Sequence, residues 1–268
     1  MSKTLAERLR DAKSTLDQMH AAVGRHPGSL PPEVDEAVCR VIDHRNDMGH
    51  WIGLLEARAV ALQLLDGLET KVDVDDRVPL GTVLVRYQHA RFVGVAAYLA
   101  ANWALADRIT GLVGRVLCTP QVGRNEISAA RLVDHFVRDE RKRTTAAALF
   151  DSVQQTFGWP IGLSYAIRNH FLHDGAQFRG CDFFDGPTAA SAFRVSTDGW
   201  GRVESQAESY GINRACHRTG AGWPTAPRDD LRVVLKVCER EMDDALGVLV
   251  GSACHSLSAH VGFMVGED

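Results

Sequence analysis

The sequence lacks most of the signatures by which common enzyme classes are recognised. It contains no Gly-x-x-x-x-Gly-Lys-Ser/Thr phosphate loop and no Rossmann glycine fingerprint, which disfavours nucleotide hydrolysis by those routes. It also contains no His-Glu-x-x-His zinc motif. Histidines spaced three apart, such as His170 and His173, are too common to indicate a metal by themselves. We therefore expect neither a metal ion nor a cofactor.

Paired cysteines and excess positive charge are missing as well. The six cysteines form no Cys-x-x-Cys pair, and the stretch MSKTLAERLRDAK is charged where a signal peptide carries an apolar core. These features predict reduced thiols in a cytoplasmic protein. With 30 Lys and Arg against 34 Asp and Glu, the net charge of −4 does not attract polyanions. Any contact with nucleic acid therefore has to be local.

One uncharged stretch approaches the length of a membrane span. Residues from Ala245 to Gly266 include no Asp, Glu, Lys or Arg. The same stretch contains two His, three Ser and four Gly, however, and polar residues inside a bilayer are costly. We expect a carboxyl-terminal helix that is buried or faces another subunit, with no membrane contact.

Apolar residues recur at helical spacing through most of the 268 residues, which predicts an all-α helical bundle. The clearest pattern places Phe92, Leu99, Ala106 and Val113 seven residues apart, as expected for helix-on-helix packing. The predicted helices are Leu5–Val23, Glu33–Ile42, Trp51–Leu68, Val83–Leu117, Asn125–Val137, Thr144–Phe157, Pro160–His173 and one from Leu231 toward the end.

The helical periodicity divides the chain unevenly. Residues 1–80 form an amino-terminal helical region of unknown role, and residues 81–268 form the bundle, together in one compact unit. Between about residues 176 and 227 the periodicity lapses into Gly, Ser, Thr and aromatic residues, which indicates an irregular insertion. Within it, Asp198-Gly199 stands between short alternating apolar residues and predicts a small β-hairpin.

The candidate for chemistry is the stretch from Arg168 to His173, which reads RNHFLH. Asn169 follows the arginine, two apolar residues precede the final histidine, and Asp-Gly follows it. This stretch resembles the Arg-x(4 to 6)-His signature of the HEPN superfamily, whose members are small helical bundles and often metal-independent ribonucleases. We call it the Arg168 copy, because RNDMGH from Arg45 to His50 also matches. The Arg45 copy contains a glycine and has too few helices before it to form a bundle.

The resemblance implies a dimeric endoribonuclease that serves as a toxin or defence effector. The implied catalytic residues are Arg168, Asn169 and His173, and the implied partners are RNA, a second copy of the chain, and an antitoxin or regulatory protein. The residue types suit metal-free RNA cleavage. Histidine can transfer protons near neutral pH, and arginine binds phosphate oxygens through its planar guanidinium fork.

Helical geometry limits what one chain can do with this motif. Five helical steps rotate by about 500°, so Arg168 and His173 diverge by about 140° with a rise of roughly 7.5 Å. This geometry favours a helix that unwinds near His170 or a site completed by a second subunit. Symmetric dimers are the commonest assemblies, and the resemblance points to the same solution.

Two other functions remain open. The chain could be a non-catalytic HEPN-like module that binds RNA, nucleotide or protein through the same groove, or an unrelated helical scaffold or regulator. In a purely structural role, Arg168 pairs with a carboxylate such as Asp174 or Asp182.

Overall fold

A computed structural model of the chain describes residues 3–25, 32–68, 75–117, 162–172, 193–209 and 230–265. Nearly all of these residues are helical, which confirms the all-α prediction. The helices are α1 (Leu5–Arg25), α2 (Pro32–Gly67), α3 (Tyr87–Leu117), α4 (162–172), α5 (Thr197–Ser209) and α6 (Leu231–Val265). The predicted helices at Asn125–Val137 and Thr144–Phe157 lie outside the described residues.

The one sheet in the described part of the chain is a two-stranded antiparallel ribbon immediately before α3. Strand β1 (Arg77–Leu80) pairs with β2 (Val83–Arg86), with Leu80 opposite Val83 at the turn. Gly81 in this turn has a φ of +62°, a left-handed conformation that costs glycine little. The predicted helix from Val83 was therefore wrong in its first four residues, and the helix begins at Tyr87.

The predicted hairpin at Asp198-Gly199 was wrong, because both residues lie in the first turn of α5. Ser196 caps this helix by accepting a hydrogen bond from the Gly199 N–H at 3.0 Å. Trp200 and Val203 are then buried at helical spacing. The predicted irregular insertion thus contains a helix of 13 residues, and its other parts are mostly outside the described residues.

Helix α2 corrects a second prediction, since the two helices expected at Glu33–Ile42 and Trp51–Leu68 are one continuous helix. The polar residues between them interrupted the apolar pattern. Met48 and Trp51 are nonetheless three residues apart and fully buried, so one face of the helix remains apolar there. Helix α6 begins as predicted, because Asp230 accepts the Arg232 N–H at 2.9 Å and caps it.

The chain divides into two compact units, each with its own apolar core. The unit that we call terminal contains α1, α2 up to Leu55, α3 from Leu105 and α6 from Asp243. Its buried core includes the side chains of Leu9, Leu16, Met48, Trp51, Ile109, Leu246 and Leu249. The predicted division at residue 80 stays a prediction.

The unit that we call central holds the rest of α2, the ribbon, α3 up to Ala104, α4, α5 and α6 up to Met242. Its buried core includes the side chains of Leu65, Tyr87, Tyr98, Leu99, Ile167, Phe171, Val203 and Leu235. None of the helices in the described residues combines the length and apolarity needed to cross a membrane.

Candidate functional site

Helix α4 in the central unit carries the first five of the six residues of the Arg168 copy. Leu163, Ile167 and Phe171 recur every four residues and are buried, so this face anchors the helix in the core. The Phe171 ring stacks on Phe92 of α3, with ring centroids 5.2 Å apart. Arg168 is only partly buried, because it lies off this apolar face. His173 follows α4 directly in sequence and lies outside the described residues.

The guanidinium of Arg168 is held by two neighbours. Its Nη1 donates a hydrogen bond to Asn169 Oδ1 at 3.1 Å. Its central carbon lies 5.9 Å from the centroid of the Trp103 ring on α3, within the range of a cation–π interaction. Trp103 in turn contacts Tyr165, with ring centroids 4.7 Å apart. These contacts restrict the orientation of the arginine fork before any ligand arrives.

The charge of Arg168 is not neutralised within the described residues. No carboxylate there forms an ion pair with it, and its one hydrogen-bond acceptor is the neutral amide of Asn169. The structural alternative named Asp174 and Asp182 as partners, and both lie outside the described residues. An oriented guanidinium with a neutral partner retains its attraction for an anion such as phosphate.

The Arg45 copy has a different environment in the terminal unit. Arg45 Nε lies 3.6 Å from Asp17 Oδ1 on α1, so its charge is already paired within the protein. His50 is exposed on the same unbroken helix, where five residues place the two side chains about 140° apart. Like Arg168 and His173 on a regular helix, Arg45 and His50 do not converge on one ligand from within this helix, so the difference between the two copies is the ion pair of Arg45.

A buried polar network in the central unit was not predicted from the sequence. Arg58 of α2 donates to Asn102 Oδ1 of α3 at 2.9 Å and lies 3.2 Å from Glu239 Oε1 of α6. The Tyr98 hydroxyl donates to Glu239 Oε2 at 3.0 Å, and it lies equally close to the Leu235 carbonyl. The network joins three helices through polar groups that are mostly out of water.

No sequence pattern predicts this network, because its residues are far apart along the chain. Arg58 and Asn102 are separated by 44 residues, and Tyr98 and Glu239 by 141. Nothing in their local context distinguishes them from surface residues of amphipathic helices. The network connects α2, α3 and α6 by hydrogen bonds and an ion pair, which indicates a structural role.

The two cysteines whose side chains the structure describes, Cys238 and Cys254, are free. Burial raises the pKa of Cys238 to about 12 and that of Cys254 to about 11. Both are therefore protonated at neutral pH and poor nucleophiles. Within the described residues, no three His, Cys, Asp or Glu side chains gather in a way that could hold a metal ion.

The described part of the site thus consists of an oriented arginine, an amide and two aromatic rings. An oriented guanidinium can bind a phosphate and stabilise negative charge that develops on it. The rings support the arginine, and Trp103 is itself buried. The comparisons with known proteins found no match for this chain among protein-family models, curated proteins or solved structures.

Proposed function

We propose that the protein is a metal-independent endoribonuclease of HEPN type, acting in the cytoplasm as a toxin or defence effector. The observation that carries the proposal is the state of Arg168, whose fork is oriented by Asn169 and Trp103 and paired with no described carboxylate. The all-α architecture and the position of His173 directly after α4 are compatible with it.

The proposed reaction is attack by the ribose 2′-oxygen on the adjacent phosphorus. The bond from phosphorus to the 5′-oxygen breaks, which leaves a 2′,3′-cyclic phosphate and a 5′-hydroxyl end. The 2′-hydroxyl loses its proton to a base, and the leaving 5′-oxygen gains one from an acid. His173 is the proposed proton-transfer group, a role typically worth about 10² to 10⁴ in rate. Arg168 stabilises the extra negative charge on the phosphoryl oxygens.

This chemistry requires that the protein bind RNA without a metal ion. We expect cleavage of a single-stranded RNA to persist in excess EDTA, because protein side chains supply both proton transfer and charge stabilisation. The products are expected to carry 2′,3′-cyclic phosphate ends, which mass spectrometry of the fragments measures. Activity that EDTA abolishes and Mg²⁺ restores would contradict the mechanism. RNA binding without cleavage would instead favour the non-catalytic alternative.

The proposal includes a homodimer, because Arg168 and His173 diverge on a regular helix and one chain presents them poorly to a single phosphate. A second copy related by two-fold symmetry could supply the missing group. We expect sedimentation velocity at micromolar concentration to show a species of twice the chain mass. A monomer alone at that concentration would contradict this part of the proposal. An antitoxin or regulatory protein is the remaining proposed partner.

A further inference from the structure

The terminal unit contains a groove between α1 and α6 that the proposed function does not use. Its volume is about 390 Å³, which is within the size range of small-molecule sites. Polar side chains from both helices contribute to a lining that also includes apolar residues. The residues that line it are Lys3, Arg8, Asp11, Ala12, Thr15, Gly247, Gly251, Cys254 and His255.

Arg8 supplies the groove with a positive charge that no described carboxylate neutralises. Its Nε donates to the Lys3 carbonyl oxygen at 3.2 Å, and its terminal nitrogens have no partner among the described residues. Among the described residues that line the groove, Asp11 is the one carboxylate, and it is paired with Lys3 Nζ at 2.6 Å. The groove therefore carries a net positive charge with an unused guanidinium fork.

Glycine on α6 makes room for this arginine. A Cβ atom at Gly247 would lie 2.5 Å from Arg8 Cδ and 2.9 Å from Arg8 Nε, closer than side chains tolerate. At Gly251, one turn later, a Cβ would meet nothing within 4 Å, so the groove is open there. Since burial raises the pKa of Cys254 to about 11, the thiol adds no negative charge at neutral pH.

We propose that this groove binds a phosphate group, with the Arg8 guanidinium as the principal donor and His255 as a further donor from α6. Guanidinium and phosphate match in geometry, since two parallel N–H groups can reach two phosphate oxygens. The phosphate group can belong to a free small molecule or to the backbone of RNA. The proposal does not depend on the Arg168 copy.

Titration calorimetry of the full chain with inorganic phosphate at low ionic strength tests the groove. Arg8→Gln is expected to weaken phosphate binding by about 10-fold or more, because it removes the charge and the fork. Arg8→Lys keeps the charge but not the fork, and its affinity for phosphate is expected to lie between those of the native chain and Arg8→Gln. Gly247→Ala is expected to weaken binding by displacing Arg8. Gly53→Ala, at a helical glycine with nothing near its Cβ, is the matched control and should bind as the native chain does.

A short single-stranded RNA added to the same titration distinguishes the two sources. Competition between RNA and phosphate that Arg8→Gln removes would identify the backbone of RNA as a ligand of the groove. Phosphate binding without such competition would identify a free phosphate compound. Absence of phosphate binding by the native chain, or unchanged binding in folded Arg8→Gln and Gly247→Ala, would overturn the proposal. Circular dichroism establishes that each variant is folded.

Discussion

His173→Ala is expected to lower the rate of RNA cleavage by about 10²-fold or more, because the substitution deletes the group proposed to transfer a proton. Arg168→Ala should cost at least as much, since it leaves the charge on the phosphoryl oxygens without its donor. Arg168→Lys should not restore the rate, because an ammonium group cannot reproduce the planar fork that Asn169 and Trp103 orient. Initial rates on a fluorescent RNA measure these effects.

The Arg45 copy provides the matched control. Arg45→Ala and His50→Ala change the same residue types at the same spacing, yet Arg45 is paired with Asp17 and His50 is exposed. We expect both variants to retain the native rate within a few fold. Activity lost at His50 and kept at His173 would show that the wrong copy was chosen. Equal loss at both copies in folded protein would contradict a site built on the Arg168 copy alone.

The sequence was sufficient to predict the helices whose apolar spacing is regular. Helix α1 and the start of α6 follow from apolar periodicity and, for α6, from the acidic residues that precede it. Helix α2 was divided in two because its polar middle hides the buried pair Met48 and Trp51. A helix of 36 residues can tolerate such a stretch, since Met48 and Trp51 keep one of its faces buried there.

The residues around a glycine decide whether it lies in a hairpin turn or in a helix, as Gly81 and Gly199 show. Asp198-Gly199 has the composition of a hairpin turn, but Ser196 caps a helix whose buried residues recur at helical spacing. Gly81 forms the real hairpin turn, between two runs of four residues that pair strand to strand. Dipeptide propensities are small compared with the free energy of burying one face of a helix.

The candidate site was only partly predictable for a related reason. Arg168 and Asn169 are adjacent in the sequence, so a hydrogen bond between their side chains requires no knowledge of the fold. Trp103 is a buried residue of α3, and nothing in the sequence indicates that the Arg168 guanidinium lies over its ring. Contacts between side chains 65 residues apart require the fold to be known first.

The largest expected effect on stability concerns the buried network of the central unit. Arg58 is only 3% exposed, and it contacts Asn102 and the carboxylate of Glu239. Arg58→Leu is therefore expected to lower the free energy of unfolding by about 3 kcal/mol or more, because it leaves both acceptors without their donor. Urea denaturation followed by circular dichroism measures the loss.

Tyr98 gives the network a dependence on pH. Burial, with a further contribution from the Glu239 carboxylate, raises the pKa of Tyr98 well above its ordinary value of about 10. The folded protein keeps this proton at pH values at which the unfolded chain loses it. The contribution of Tyr98 to stability is therefore complete below pH 10 and decreases progressively as the pH rises beyond it.

An exposed ion pair between α2 and α6, the helices that carry Arg58 and Glu239, separates the effect of burial on stability from that of charge. Lys236 Nζ of α6 lies 2.9 Å from Asp66 Oδ2 of α2, and the two side chains are 49% and 45% exposed. Lys236→Leu should change the free energy of unfolding by no more than about 1 kcal/mol, because water solvates the remaining carboxylate. The double variant Arg58→Leu with Glu239→Leu should cost less than the sum of the single variants, since no unpaired charge is left behind. Equal losses for Arg58→Leu and Lys236→Leu would show that the buried network contributes no more than a surface pair.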